Sequence, residues 1–234
     1  VEERLKILDE VIASVNEIPT DETIIIVNSN ELFECEAVVN VAHGLKDPYH
    51  LTWEHKKYMS EFLKTDYTHY AYLEDDMKLT TTTLEYWLQT KKLFKSNGFN
   101  FIPAIHRIEY KDGIEVSLDA TKKPGACDAI ILDNQKFVFL PEPYQGMFIM
   151  DREDVIEHLN SQYSNIGQYH NYGIRESANI GNMYVNVPQG YSHRAVVPVN
   201  NFEQCWVHHV ANNYADNLNT PHAKVPAKDL LDGN

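Results

Sequence analysis

Seven residues, Tyr67-Thr68-His69-Tyr70-Ala71-Tyr72-Leu73, run without a break into three consecutive acids, Glu74-Asp75-Asp76. The run before the acids is rich in aromatic residues and reads as a strand. Behind the acids, Thr80 to Thr83 supplies a cap for a helix from about Leu84 to Lys95, which Asn97-Gly98 closes. A strand that ends in charge and gives way to a helix is the join from which layered α/β folds are built. In such folds ligands bind beyond the carboxyl ends of the strands. Three adjacent acids at a buried strand end repel one another and raise one another's pKa, a cost that a bound cation removes. Carboxylate oxygens are hard donors suited to Mg²⁺ or Mn²⁺. The same triplet also fits a solvated acidic turn, so its position carries the argument rather than its composition.

The rest of the chain repeats the alternation. Residues 3–17 place Leu5, Leu8, Val11, Ile12 and Val15 at helical spacing. Thr23-Ile24-Ile25-Ile26-Val27-Asn28 is a β-branched run expected to be a strand buried on both faces, as in a parallel sheet. Further strands are expected over 36–41, 100–108, 136–140, 146–150 and 195–199, and further helices over 52–64 and 151–159. Residues 161–182 read as looser structure, and 215–234 as a polar tail. The expected fold is α/β, with a mostly parallel mixed central sheet flanked by helices. The expected organisation is one domain over 1–214, with halves at about 1–110 and 111–214, followed by the tail over 215–234.

Composition narrows the function. The net charge of −14 argues against a nucleic-acid binder, which would carry a basic stripe. An acidic protein that handles a nucleotide diphosphate needs a local cation, and a divalent metal supplies one. Cys35, Cys127 and Cys205 match neither a zinc pattern nor a disulfide framework, and no Asn-x-Ser/Thr sequon occurs. The cysteines fit a reducing compartment, and the absent sequon favours a protein never exposed to the secretory glycosylation machinery. No apolar run reaches the ~18 residues that span a bilayer. A cytoplasmic location is expected, peripheral at the inner face of the membrane if other segments or partners hold it there. No signal peptide is read, and the opening Val1-Glu2-Glu3-Arg4 leaves room for residues before it.

Tyr72-Leu73-Glu74-Asp75-Asp76-Met77 resembles the Asp-x-Asp motif of GT-A-fold glycosyltransferases. The wider pattern is similar to a bacterial group of polysaccharide glycosyltransferases. It takes in the stretch from Pro48-Tyr49-His50 to Lys57-Tyr58-Met59, Arg107-Ile108-Glu109, Tyr172-Gly173-Ile174-Arg175-Glu176 and His209-Val210-Ala211-Asn212-Asn213-Tyr214. The resemblance implies transfer of a sugar from a nucleotide-sugar donor, a UDP-sugar first, to a glycan or lipid-linked oligosaccharide acceptor in surface polysaccharide synthesis, with Mn²⁺ or Mg²⁺ as cofactor. It implies that Asp76 binds the metal directly, with Glu74 beside the metal or the ribose and Asp75 supporting donor or metal. It also implies a late histidine in the metal shell, His209, with His208 the near alternative. One departure stands out: GT-A domains open with a strand that holds the base, and this chain opens with a helix.

Other residues are weighed beside that frame. Glu176 is the expected general base of an inverting reaction, against a plain Arg175–Glu176 surface pair; Glu109 and Asp151 rank lower. Arg107 at a strand end, and His50 and Lys57 with Lys56 near the helix before the acids, are expected to meet the donor diphosphate. Tyr144 and Gly146 are expected on the acceptor side, the ring to stack on a sugar and the glycine to let it approach. Two alternatives remain: a non-catalytic nucleotide-sugar or glycan-binding protein of the same fold, and a sugar-phosphate nucleotidyltransferase. The second normally carries a Gly-rich phosphate loop near its first strand, and residues 1–45 hold none.

Overall fold

The structure is a computed structural model that describes residues 2–33 and 39–233. It is a mixed α/β protein with helices and several sheets. In chain order, α1 (Glu2–Asn16) is followed by β1 (Ile26–Ser29), β2 (Val39–Ala42), a 3-10 turn at Pro48–Trp53, α2 (His55–Phe62), β3 (His69–Leu73), β4 (Met77–Lys78) and α3 (Thr81–Ser96). Next come β5 (Ile102–Pro103), β6 (His106–Lys111), β7 (Ile114–Ser117), β8 (Ala129–Leu132), β9 (Gln135–Val138), β10 (Met147–Asp151) and α4 (Arg152–Leu159). The chain ends with α5 (Ile174–Ile180), β11 (Ala195–Pro198), β12 (Trp206–His209) and β13 (Val225–Pro226).

The chain divides into two compact units. The first holds the chain through Ile18, Leu73–Phe148 and the chain from Asn186; the second holds Pro19–Tyr72 and Ile149–Val185. Neither unit is continuous in sequence, and the expected division near residue 110 falls inside β6.

In the first unit, five strands lie in the order β13-β7-β6-β12-β4 and four in the order β5-β11-β9-β8. β12 runs parallel to β6 and β11 parallel to β5, while β4–β12, β6–β7, β7–β13, β8–β9 and β9–β11 are antiparallel. The expectation of one mostly parallel central sheet is therefore corrected. Two tight hairpins account for the difference. Asp112-Gly113 joins β6 to β7, and Asp133-Asn134 joins β8 to β9, with all four residues at positive φ. Two-residue loops of this kind match the twist of antiparallel strands.

One core cluster of this unit gathers Phe94 from α3 with Phe101, Ile130, Leu132, Phe137, Phe139 and Val196. Phe94 meets Phe101 and Phe137 edge-on, at 5.9 and 5.0 Å between ring centres. The helix is set by Thr80, whose side chain accepts from the Thr83 amide, and by Gly98 at φ 74 behind its end. Leu8, Val11 and Ile12 are the buried face of α1, as their spacing predicts. Residues 215–231 are not a tail. Val225 and Pro226 pair with β7, Ala215 and Ala223 pack with Val116 and Leu118, and Leu230 and Leu231 are buried. Their apolar residues are too few and too scattered to show a period.

In the second unit β1 and β2 pair in parallel, Ile26 beside Val39 through Ser29 beside Ala42. β1 starts later than expected and is half-buried rather than buried on both faces, with Ile24 exposed. The expected strand over 36–41 lies in part outside the described residues, as does Cys35. β3 pairs with β10. Asp151 caps α4 by accepting from the Asp154 amide. The looser stretch over 161–182 contains α5, to which Trp53 is tied by its indole N–H donating to the Ile174 carbonyl at 2.9 Å. Among the described residues no helix is long and apolar enough to cross a membrane.

Candidate active site

The acids sit where the sequence puts them, at the end of β3. Glu74 to Met77 makes a tight turn closed by the Met77 amide on the Glu74 carbonyl at 3.1 Å, and the Glu74 amide donates to the Gly146 carbonyl at 3.1 Å. The turn delivers Met77 into β4, where it pairs with His209 of β12. The Val210 amide closes on the Asp76 carbonyl at 2.8 Å. This register sets the Asp76 side chain against the His209 ring, with Nε2 3.0 Å from Oδ2.

On its other side β12 runs along β6, with Val207 beside Arg107 and His208 beside Ile108. Glu109 comes next and receives the His209 Nδ1 at 2.7 Å. Its second oxygen accepts the Tyr214 and Ala215 amides at 3.0 and 2.5 Å. Just past β12, Asn212 turns back at φ 45. Its side chain pairs with both backbone groups of Tyr110, at 2.7 and 2.9 Å. The segments 107–109 and 209–214, about a hundred residues apart, thus fold onto each other.

Burial alone would lower the His209 pKa, but its hydrogen bonds to Asp76 and Glu109 outweigh that and raise it to about 9. Burial alone would raise the Asp76 carboxyl, and the hydrogen bond and charge of His209, with Arg4, hold it below the usual carboxylate value. The folded pKa of His209 lies above its unfolded value of about 6.5. Its stabilising contribution is therefore fully present below about pH 6.5 and is lost as pH rises through about 9. Metal-free wild type should melt well above His209→Gln at pH 6, and the gap should narrow by several degrees above pH 9. A gap that stays constant across that range would mean the imidazolium is not held by the two carboxylates.

Arg4 of α1 is the residue sequence reasoning missed. Its guanidinium grips both oxygens of Asp75, with Nε 2.6 Å from Oδ2, and its Nη1 reaches Asp76 Oδ2 at 3.1 Å. No local pattern marks a contact 71 residues away. Asp76 Oδ1, in contrast, is buried with no hydrogen-bond partner. It is one of several such buried atoms among the described residues, and a water or an ion at that point would satisfy it.

Arg107 stands beside this cluster and is nearly fully buried. Its guanidinium forks onto Asp119, with Nε 3.0 Å from Oδ2, and its Nη1 lies 3.7 Å from Glu74 Oε2. It also stacks over the Tyr144 ring at 4.6 Å, while the Tyr144 hydroxyl donates to Glu74 Oε1 at 2.6 Å. Burial would lower the Arg107 pKa, but Asp119, Tyr144 and Glu74 raise it further above its ordinary value. Gly146 has φ 62, and a Cβ there would lie 2.9 Å from Arg107 Nη1 and 3.2 Å from Glu74 Oε2. The glycine admits those two side chains, whereas the sequence suggested an approaching sugar. A crevice lined by Tyr144, Ile105, His106, Pro143, Gln145 and His193 has room for little more than one water molecule, far less than a small-molecule site needs.

The first unit therefore gathers Glu74, Asp75, Asp76, Arg107, Tyr144, Gly146 and His209. His50, Lys57 and Glu176 belong to the second unit. His50 is near Asp47 at 3.8 Å, and Lys57 is exposed. Lys56 is buried, with Nζ 4.0 Å from the Trp53 ring centre and donating to the Tyr163 carbonyl at 2.6 Å. Glu176 pairs with Arg175 at 2.9 Å, in the first turn of α5.

Among the described residues no three or more His, Cys, Asp or Glu side chains surround a common point as metal ligands. What the first unit brings together is the His209 ring and the Asp76 carboxylate, with Nε2 3.0 Å from Oδ2. That set suits Mg²⁺ or Mn²⁺, which takes one or two protein carboxylates and fills its shell with water and phosphate oxygens. No family model, curated protein or solved structure matches the chain.

Proposed function

We propose that this chain is a metal-dependent glycosyltransferase of the GT-A fold class, moving a sugar from a nucleotide-sugar donor, a UDP-sugar first, to a glycan acceptor in surface polysaccharide synthesis. The observation that carries the reading is the convergence of Asp76 and His209 at 3.0 Å, with Asp76 Oδ1 buried and unpartnered. Asp76 and His209 would hold the divalent ion, Mn²⁺ or Mg²⁺, with Glu74 a further candidate beside them. The ion supplies charge neutralisation for the departing nucleoside diphosphate. Loading would require His209 to release the Nε2 proton and Arg4 to yield the Asp76 oxygen it now holds. Arg107 fixes the direction of Glu74 and adds positive charge beside the diphosphate. Tyr144 contributes a ring on the acceptor side. The reaction is assigned to the cytoplasmic face of a membrane that carries a lipid-linked oligosaccharide acceptor.

A second reading has its own observation. Arg4 already neutralises Asp75 and part of Asp76, which favours a nucleotide-sugar or glycan-binding protein of the same fold that needs no metal. Calorimetric titration with UDP separates the two, in Mn²⁺ and in EDTA. Binding that requires Mn²⁺ is the expected result. Equal binding in EDTA would favour the metal-free reading. Failure of UDP, GDP, CMP and dTDP alike would remove the transferase reading and leave glycan binding alone.

A further inference from the structure

Glu109 is the most completely buried acid in the first unit and makes no use of solvent. Its oxygens meet three donors. The Tyr214 and Ala215 amides can only donate, so they claim Oε2. Oε1 faces His209 Nδ1 at 2.7 Å, and a carboxylate oxygen there requires the ring proton on Nδ1. The opposite nitrogen, Nε2, is thereby turned toward Asp76 at 3.0 Å, and it is the nitrogen from which a cation would have to displace a proton. The two backbone bonds lock the carboxylate plane, and the carboxylate in turn locks the ring. A residue held this way is also out of reach of an acceptor hydroxyl, so the general-base role weighed for Glu109 is set aside.

We propose that Glu109 is a positioning residue that fixes the tautomer and orientation of His209 so that Nε2, together with Asp76, ligates a divalent cation. This rests on the metal-dependent reading above. Carboxylates behind a metal-binding histidine act by orienting the ring and raising its basicity, and their loss typically costs 10–100-fold in metal affinity. A bolt that merely joins 212–215 to β6 would leave metal affinity and ligand identity unchanged.

The test is Mn²⁺ titration of the whole chain, with free Mn²⁺ read by electron paramagnetic resonance and bound nitrogen read by pulsed methods. Wild type is expected to show a directly bonded imidazole nitrogen. Glu109→Gln brings an amide NH₂ that must face one of the three donors. It is expected to weaken Mn²⁺ binding about 10–100-fold and to lose the nitrogen signal. Equal affinity and an unchanged nitrogen signal in the variant would overturn the assignment and leave the metal reading standing. No Mn²⁺ uptake by wild type would overturn both. If Glu109→Gln does not fold, ¹⁵N-histidine spectra of Mg²⁺-loaded wild type decide the matter. His209 must carry its proton on Nδ1 and not on Nε2, and the reverse pattern would sink the assignment.

Discussion

Replacing Asp76 with asparagine is expected to weaken Mn²⁺ binding by at least ~100-fold, since even groups behind a metal ligand are worth 10–100-fold. Mn²⁺-dependent UDP binding should fall to its level in EDTA, and sugar transfer should fall with it. The amide keeps the size of the side chain and one acceptor oxygen, so the fold should survive with a drop of only a few degrees in melting temperature. Asp75→Asn is the internal control. Asp75 is half-exposed and its partner is Arg4, so its loss should cost far less metal affinity. Arg4→Ala should move affinity the other way, because it removes the cation that shares Asp76 Oδ2. The assignment fails if Asp76→Asn and wild type bind Mn²⁺ alike, or if Asp75→Asn does the greater damage.

The part of this site that lies along the chain was legible in the sequence. A strand running into acids, then a capped helix, shows as composition and period over 67–95. Arg107 and His209 could be proposed from motifs, but their meeting with Asp76 and Glu109 depends on β12 lying between β4 and β6. β4 is two residues long, too short to leave a period. The antiparallel character of the first unit is marked in the sequence by its turns. Asp112-Gly113 lies between Tyr110-Lys111 and Ile114-Glu115-Val116, which is a hairpin signal in its own right, and Asp133-Asn134 is a second. Arg4 is the opposite case. A single arginine on an amphipathic helix is ordinary, and what makes it matter is a contact that only the folded chain creates. Glu109 shows the same limit, since burial and its three donors are tertiary facts.

Arg107→Met is expected to be the most destabilising single change in the site, at about 3–5 kcal/mol, the cost of stranding a buried charge by removing its partner. Asp119 would lose both of its Arg107 hydrogen bonds while its side chain stays about 12% exposed, and Glu74 would lose the cation 3.7 Å away. The methionine fills space but neither forks onto a carboxylate nor stacks as a cation on Tyr144. At roughly 2–4 °C per kcal/mol for a chain of this size, the melting temperature should drop by about 10 °C. Arg107→Lys should recover part of the loss, because one ammonium can meet Asp119 but cannot bridge to Glu74 in the same plane. The double variant Arg107→Met, Asp119→Leu should be more stable than Arg107→Met alone, since the stranded carboxylate is gone. If Arg107→Met melts with wild type, the ion pair is screened by solvent despite its burial. Arg107 would then act only on the bound donor, which the Mn²⁺ and UDP titrations of the same variant would reveal as lost affinity in a stable protein.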